Sequence, residues 1–136
     1  MYSTFETVIT IRPDDIDMND HVHNSKYLDY LLMARYDQMK KDYKVAMEVF
    51  VERGYSWVVS DLSIKYKRPI LLQDETVKVR TQIEEFHGAG VLVNFWILKS
   101  DNDKIAAQGQ AGYTMISAQT GRPIRVPKDI VEQYTI

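Results

Sequence analysis

At 136 residues, 45% hydrophobic and 26% charged, the chain has the size and composition of one globular domain that buries a core without staples, and nothing in it argues for disorder. A net charge of -2 lacks the basic footprint of a nucleic-acid partner, and no apolar run approaches the ~20 residues needed to span a bilayer. With no cysteine there is neither a disulfide framework nor thiol chemistry, so a cytoplasmic location is expected.

Residues 3–12, STFETVITIR, are rich in Thr, Val and Ile and end at Pro13, which predicts a first strand closed by a turn. A dense polar loop follows, with Asp14, Asp15, Asp17, Asp20, His21 and His23 interleaved with Asn19 and Asn24. It runs straight into a stretch where Tyr27, Leu28, Leu31, Leu32 and Ala34 recur at helical spacing, with Asn24 or Ser25 as the N-cap. The first turn of such a helix presents free backbone N–H groups and the positive end of its dipole, which suits a carbonyl oxygen acquiring negative charge. A carboxylate just upstream could attack that carbonyl or activate water to do so. Acidic residues before a helix also serve simply as caps. A metal is not expected here. The run Asp15-x-Asp17-x-Asn19 imitates a calcium loop, but Asp20 and Lys26 stand where that loop requires Gly and Glu. His21-x-His23 lacks a third convincing zinc ligand, His87 being the one other histidine.

The helical region extends from about 25 to 53, with Lys40-Lys41-Asp42 marking a break and Gly54 closing the second piece. Residues 55–68 read as a long strand stopped by Pro69. Residues 76–86 alternate Val77, Val79, Thr81 and Ile83 against Lys78, Arg80, Gln82 and Glu84. A turn at 87–90, a strand at 91–99, a turn at 101–103 and a strand at 104–117 follow, and Pro127 opens a short terminal helix. The small residues Ala107, Gly109 and Ala111 leave room for something bulky, which in this architecture is the central helix. The order predicts an α+β fold, one continuous domain over residues 1–136 with a five-stranded antiparallel sheet able to curl around the helix. Apolar pairs facing both ways, at Val58 and Val59 and at Leu92 and Val93, imply a second covered surface and hence a homodimer or homotetramer.

The run Asp17-Met18-Asn19-Asp20-His21-Val22-His23-Asn24-Ser25-Lys26-Tyr27 resembles the D-x-N-x-H-V-N-N-x-x-Y signature of hotdog-fold thioesterases. It is close to that of the acyl-ACP thioesterases and, more broadly, of the hydroxybenzoyl-CoA thioesterase group. The resemblance implies a hotdog sheet wrapped around a central helix and hydrolysis of an acyl-CoA or acyl-ACP thioester to free acid and thiol, without a cofactor. It implies Asp17 as general base or nucleophile, assisted by Asn19 and His21, and a backbone amide near Asn24 as oxyanion donor. Asp20 stands where relatives often have Gly or Gln, and His23 replaces the first Asn of the Asn pair. The stretch Tyr66–Ile70 shows no counterpart to the downstream Glu and Cys of plant-type acyl-ACP thioesterases.

For substrate binding, Tyr27 closes the motif and Ser60, with Asp61, falls in the strand that the resemblance places beside the site. Lys65, Lys67, Arg68 and Arg122 could hold the phosphates of a pantetheine carrier, with Arg68 the strongest candidate, or form a solvated strand face. Trp57 and Trp96 could line an acyl tunnel or serve the core. No G-x-S-x-G elbow supports a serine nucleophile. Two other functions fit the same residues: a hydratase or dehydratase using an Asp–His pair, or a non-catalytic acyl-binding domain.

Overall fold

The computed structural model describes residues 2–136. Strand β1 (Thr4–Thr10) is followed by the polar loop, helix α1 (Lys26–Lys41) and a short helix α2 (Met47–Glu52). Strands β2 (Tyr55–Tyr66), β3 (Thr76–His87), β4 (Gly90–Lys99) and β5 (Ile105–Ser117) and a terminal helix α3 (Lys128–Tyr134) complete the chain. The strands form one antiparallel sheet in the order β1-β3-β4-β5-β2. Its curvature comes from register shifts between Val59 and Asp61, Ile83 and Glu85, and Ile97 and Leu98, the kind of bulge that bends and twists a strand.

Burial follows the sequence periods. In β3, Val77, Val79, Thr81 and Ile83 are buried while their polar alternates are half-buried or exposed. In α1 the buried stripe is Tyr27, Tyr30, Leu31, Ala34, Arg35, Gln38 and Met39, and its apolar members join Val93, Phe95, Ala107 and Ala111 in one cluster. The sheet thus wraps the helix in the hotdog arrangement. The chain breaks between the helices at Lys44, whose φ of 63° no helix accommodates. Gly54, φ 78°, ends α2.

Gln38 is fully buried and fixes α1 to the sheet: its amide nitrogen donates to Thr7 Oγ1 (3.1 Å) and the Val79 carbonyl (3.3 Å), and its oxygen accepts from Thr81 Oγ1. A polar side chain in this stripe persists because both its amide oxygen and its amide nitrogen have partners. One expectation changes. Ala107 and Ala111 do lie buried in the helix-containing cluster, but a Cβ on Gly109 would come 1.8 Å from the Ser63 carbonyl oxygen, so its smallness admits the backbone of β2. Among the described residues no helix is long and apolar enough to cross a membrane.

Candidate functional site

The loop before α1 is a small hairpin. Ile16 and Val22 form an antiparallel bridge, the Asp17 N–H donates to the His21 carbonyl (2.8 Å), and the Val22 N–H donates to the Ile70 carbonyl (2.8 Å). The turn requires the left-handed conformation at Asp20, φ 62°. Gly enters that region freely, and Asp is among the few other residues that do so at modest cost, which is why Asp20 can stand there.

A buried anchor holds the base of the hairpin. Asp15 is 6% exposed, and its Oδ2 accepts from the Tyr30 hydroxyl (2.7 Å) and the Arg12 N–H (3.0 Å), while its carbonyl accepts the His23 N–H (2.8 Å). Burial first, then the Asp15 carboxylate, raises the Tyr30 hydroxyl pKa well above its ordinary value, so it stays a donor. Tyr30→Phe should cost about 1–3 kcal/mol of stability, because Asp15 remains buried with a donor missing. Urea unfolding midpoints of the two proteins check this.

At the tip, Asp17 is half-buried, and its Oδ1 accepts the N–H groups of Asn19 (2.9 Å) and His21 (3.3 Å). Among the described residues Oδ2 has no donor, so one carboxylate oxygen is fixed and the other is free for chemistry. Downstream, Ser25 takes the N-cap position but makes no side-chain cap. It turns instead toward His23, whose Nδ1 accepts the Ser25 N–H (3.1 Å) and lies 2.8 Å from Ser25 Oγ. An Asn side chain in the family signature would make the same bond to a backbone amide two residues on, so His23 substitutes for it physically. The Asn24 N–H meets no acceptor among the described residues, and the Asn24 carbonyl accepts the Tyr66 hydroxyl (3.1 Å).

These groups surround a cavity of about 360 Å³ lined by Asp17, His21, Asn24, Tyr27, Tyr66 and Arg68, with Val22, Lys67 and Pro69 completing it. Tyr27 is buried, which pushes its hydroxyl up to about 12, and its ring meets Tyr66 edge-on at 4.9 Å. Arg68 is braced by its Nη1 donating to the Ile105 carbonyl (2.7 Å). Of the residues singled out from sequence, Asp17, His21, Asn24, Tyr27 and Arg68 converge here. Asn19 reaches Asp17 through its main chain, without lining the cavity. Ser60 is elsewhere, on the β2 bulge, donating to the Gly112 carbonyl (3.1 Å). Lys67, named with Arg68 among the phosphate-binding candidates, also lines the cavity, while Tyr66 lacked a sequence signal, since it arrives from the far end of β2. Among the described residues no three His, Asp or Glu side chains converge as metal ligands.

A second cavity of about 260 Å³ shares the walls of Asn24, Tyr27 and Tyr66 and is lined further by Leu28 and Leu31 of α1, Leu62 and Ile64 of β2, and Phe95. A third, of about 200 Å³, follows farther along the same two elements, between Leu32, Arg35 and Met39 and Val59 and Trp57. Leu28 and Leu32, expected in the core stripe, are half-buried because they face this gap.

Residues 11–134 match the model of the thioesterase-like superfamily. The long-chain acyl-CoA thioesterase FadM of Escherichia coli (strain K12) is 22% identical over 128 residues, covering 94% of this chain and 95% of that protein. The DHNA-CoA thioesterase of Staphylococcus aureus superposes with a TM-score of 0.87 at 24% identity, covering 96% of this chain and 88% of its own. A thioesterase of Thermus thermophilus, complexed with coenzyme A and Zn, gives a TM-score of 0.78 at 24% identity, covering 95% of this chain and 90% of its own.

Proposed function

This chain belongs to the thioesterase-like superfamily, and on that premise we propose that it hydrolyses an acyl-CoA thioester to a free acid and coenzyme A. The observation that carries the reading is the pairing of a half-held carboxylate with an unoccupied amide: Asp17, whose Oδ1 alone is bonded, and Asn24, whose N–H is unpaired among the described residues, line one cavity at the start of α1. The thioester carbonyl oxygen accepts from the Asn24 amide, aided by the helix dipole, as charge builds on it. Asp17 removes a proton from the attacking water and returns it to the departing thiolate, or attacks the carbonyl itself to form an anhydride that water then hydrolyses; in either route the carbon–sulfur bond breaks and the thiol leaves. The Asn19 main chain and His21 keep the carboxylate in place, and Arg68 with Lys67 offers charge to carrier phosphates. The acyl chain enters the apolar gap between α1 and β2.

Free-thiol release from matched acyl-CoA and acyl-ACP substrates tests this reading. Release from acyl-CoA with a higher kcat/KM than from acyl-ACP is expected. Release from acyl-ACP alone would move the substrate assignment, and hydration of the acyl chain with no thiol release would favour the hydratase reading.

We further propose a homodimer. The edge strand β2 pairs with β5 alone and exposes Val58, Val59, Leu62 and Tyr66. A long edge with unpaired backbone groups and apolar side chains on both faces invites a second copy. Light scattering should give at least twice the 15.9 kDa chain mass, and a fully active monomer would refute the pairing.

A further inference from the structure

The far end of the α1–β2 gap holds a charge that the catalytic cavity does not use. Arg35 is 6% exposed, and its Nη1 has no hydrogen-bond partner among the described residues. No described carboxylate lies within ion-pair distance of it. Three tyrosines surround the guanidinium. Its carbon sits 5.8 Å from the Tyr113 ring centroid; the hydroxyls of Tyr43 and Tyr113 lie close enough to feel the guanidinium, but among the described residues no hydrogen bond of regular geometry joins them or the Tyr134 hydroxyl to a partner. Burial pushes the hydroxyls of Tyr43 and Tyr113 up, and the positive charge of Arg35 draws them part of the way back. Tyr134 is raised to about 12 by burial against the same charge.

A buried cation is costly to keep unless an anion or several acceptors meet it. A plain hydrocarbon filling the 200 Å³ cavity would leave Arg35 as it is. A chain ending in an acceptor would satisfy it. The two cavities share no lining residue but follow one another along the same two elements, from Tyr27 and Leu28 to Leu32 and Arg35 along α1 and from Tyr66 and Leu62 to Val59 along β2. Tyr27 and Arg35 are eight residues apart in α1, roughly 12 Å of helix rise, the reach of a medium-length acyl chain.

We propose that Arg35 is a specificity residue, and that the acyl group taken by this site carries a carboxylate at the end remote from the thioester. This deepens the thioesterase reading and rests on it for the position of the other end of the chain. The guanidinium pairs with the distal carboxylate in a cavity whose walls are mostly apolar, with Leu32, Met39, Trp57 and Val59 beside Tyr36 and Tyr113.

The test compares ω-carboxyacyl-CoA with the unsubstituted acyl-CoA over a ladder of medium chain lengths, in wild type and Arg35→Met. Wild type should favour the ω-carboxy substrate in kcat/KM at the best length, and Arg35→Met should lower that ratio about 10- to 100-fold. The ratio is taken within one preparation, so it is independent of how much of the variant folds. In wild type alone, calorimetry should show the free α,ω-dicarboxylic acid binding more tightly than the monocarboxylic acid of equal length. Diacid binding with no hydrolysis of either thioester would sink the thioesterase reading and leave the Arg35 site standing. Equal kcat/KM for both substrates at every length, a preference that survives Arg35→Met, or diacid binding no tighter than monoacid binding would each overturn the proposal.

Discussion

Asp17→Asn should lower turnover by at least ~100-fold, the lower end for a lost general base, with little change in substrate binding. The substitution keeps size and shape, and the Asn carboxamide oxygen can still accept the Asn19 and His21 N–H groups that Oδ1 accepts now. The hairpin therefore survives while the charge and basicity are lost. Asp14→Asn is the matched control. Asp14 belongs to the same loop, but its carboxylate is 66% exposed beside Arg12 and lines no part of the cavity, so its loss should alter turnover less than ~3-fold, in keeping with the small worth of an exposed pair. Equal losses for the two changes would reduce the acidic loop to a helix cap.

The second large effect is structural. Gly109→Ala should destabilise the fold by about 3 kcal/mol or more, at the top of the range for overpacking, because the new methyl meets the Ser63 carbonyl oxygen and the Ile64 Cα of β2. The obstruction is backbone within a paired ladder, Ile64 opposite Gly109, so no side chain can swing aside. The strain falls close to Tyr66, whose hydroxyl meets the Asn24 carbonyl, and turnover should fall along with stability. Thermal unfolding of Gly112→Ala offers the comparison. There the Cβ meets the Asp61 Cβ at 3.3 Å, a side-chain contact, and the cost should be smaller. A Gly109→Ala protein as stable as wild type would mean that β2 can shift away from β5 freely.

The fold was largely legible because its signals are local. The alternation of Val77, Val79, Thr81 and Ile83 appears in the burial of β3, and the break after Lys41 and the close at Gly54 fall where charge and glycine placed them. The position of Asp17 at the tip of the pre-helix loop was legible from the motif, and the structure supplies what the motif could not: Asn19 acts through its main chain, and His23 makes the turn bond that an Asn would make. Arg35 and Gln38 were missed, since a charged and an amide residue add nothing to an apolar stripe even when they fall in phase with it. Their phase was the available clue: both fall on the three- and four-residue spacing from Tyr27, Leu31 and Ala34. Gly109 was read as space for the helix because strand-to-strand approach depends on long-range register, and Tyr66 joins the cavity for the same nonlocal reason.

Tracing the water oxygen is the most direct test of thioester hydrolysis at the start of α1. In ¹⁸O-labelled water, repeated turnover of an acyl-CoA by the wild-type protein should put one labelled oxygen into the carboxyl group of a free acid, with one free thiol formed for each acid. Labelled oxygen found in the acyl chain of an intact thioester, or an acyl-CoA recovered bound and unchanged, would contradict the account.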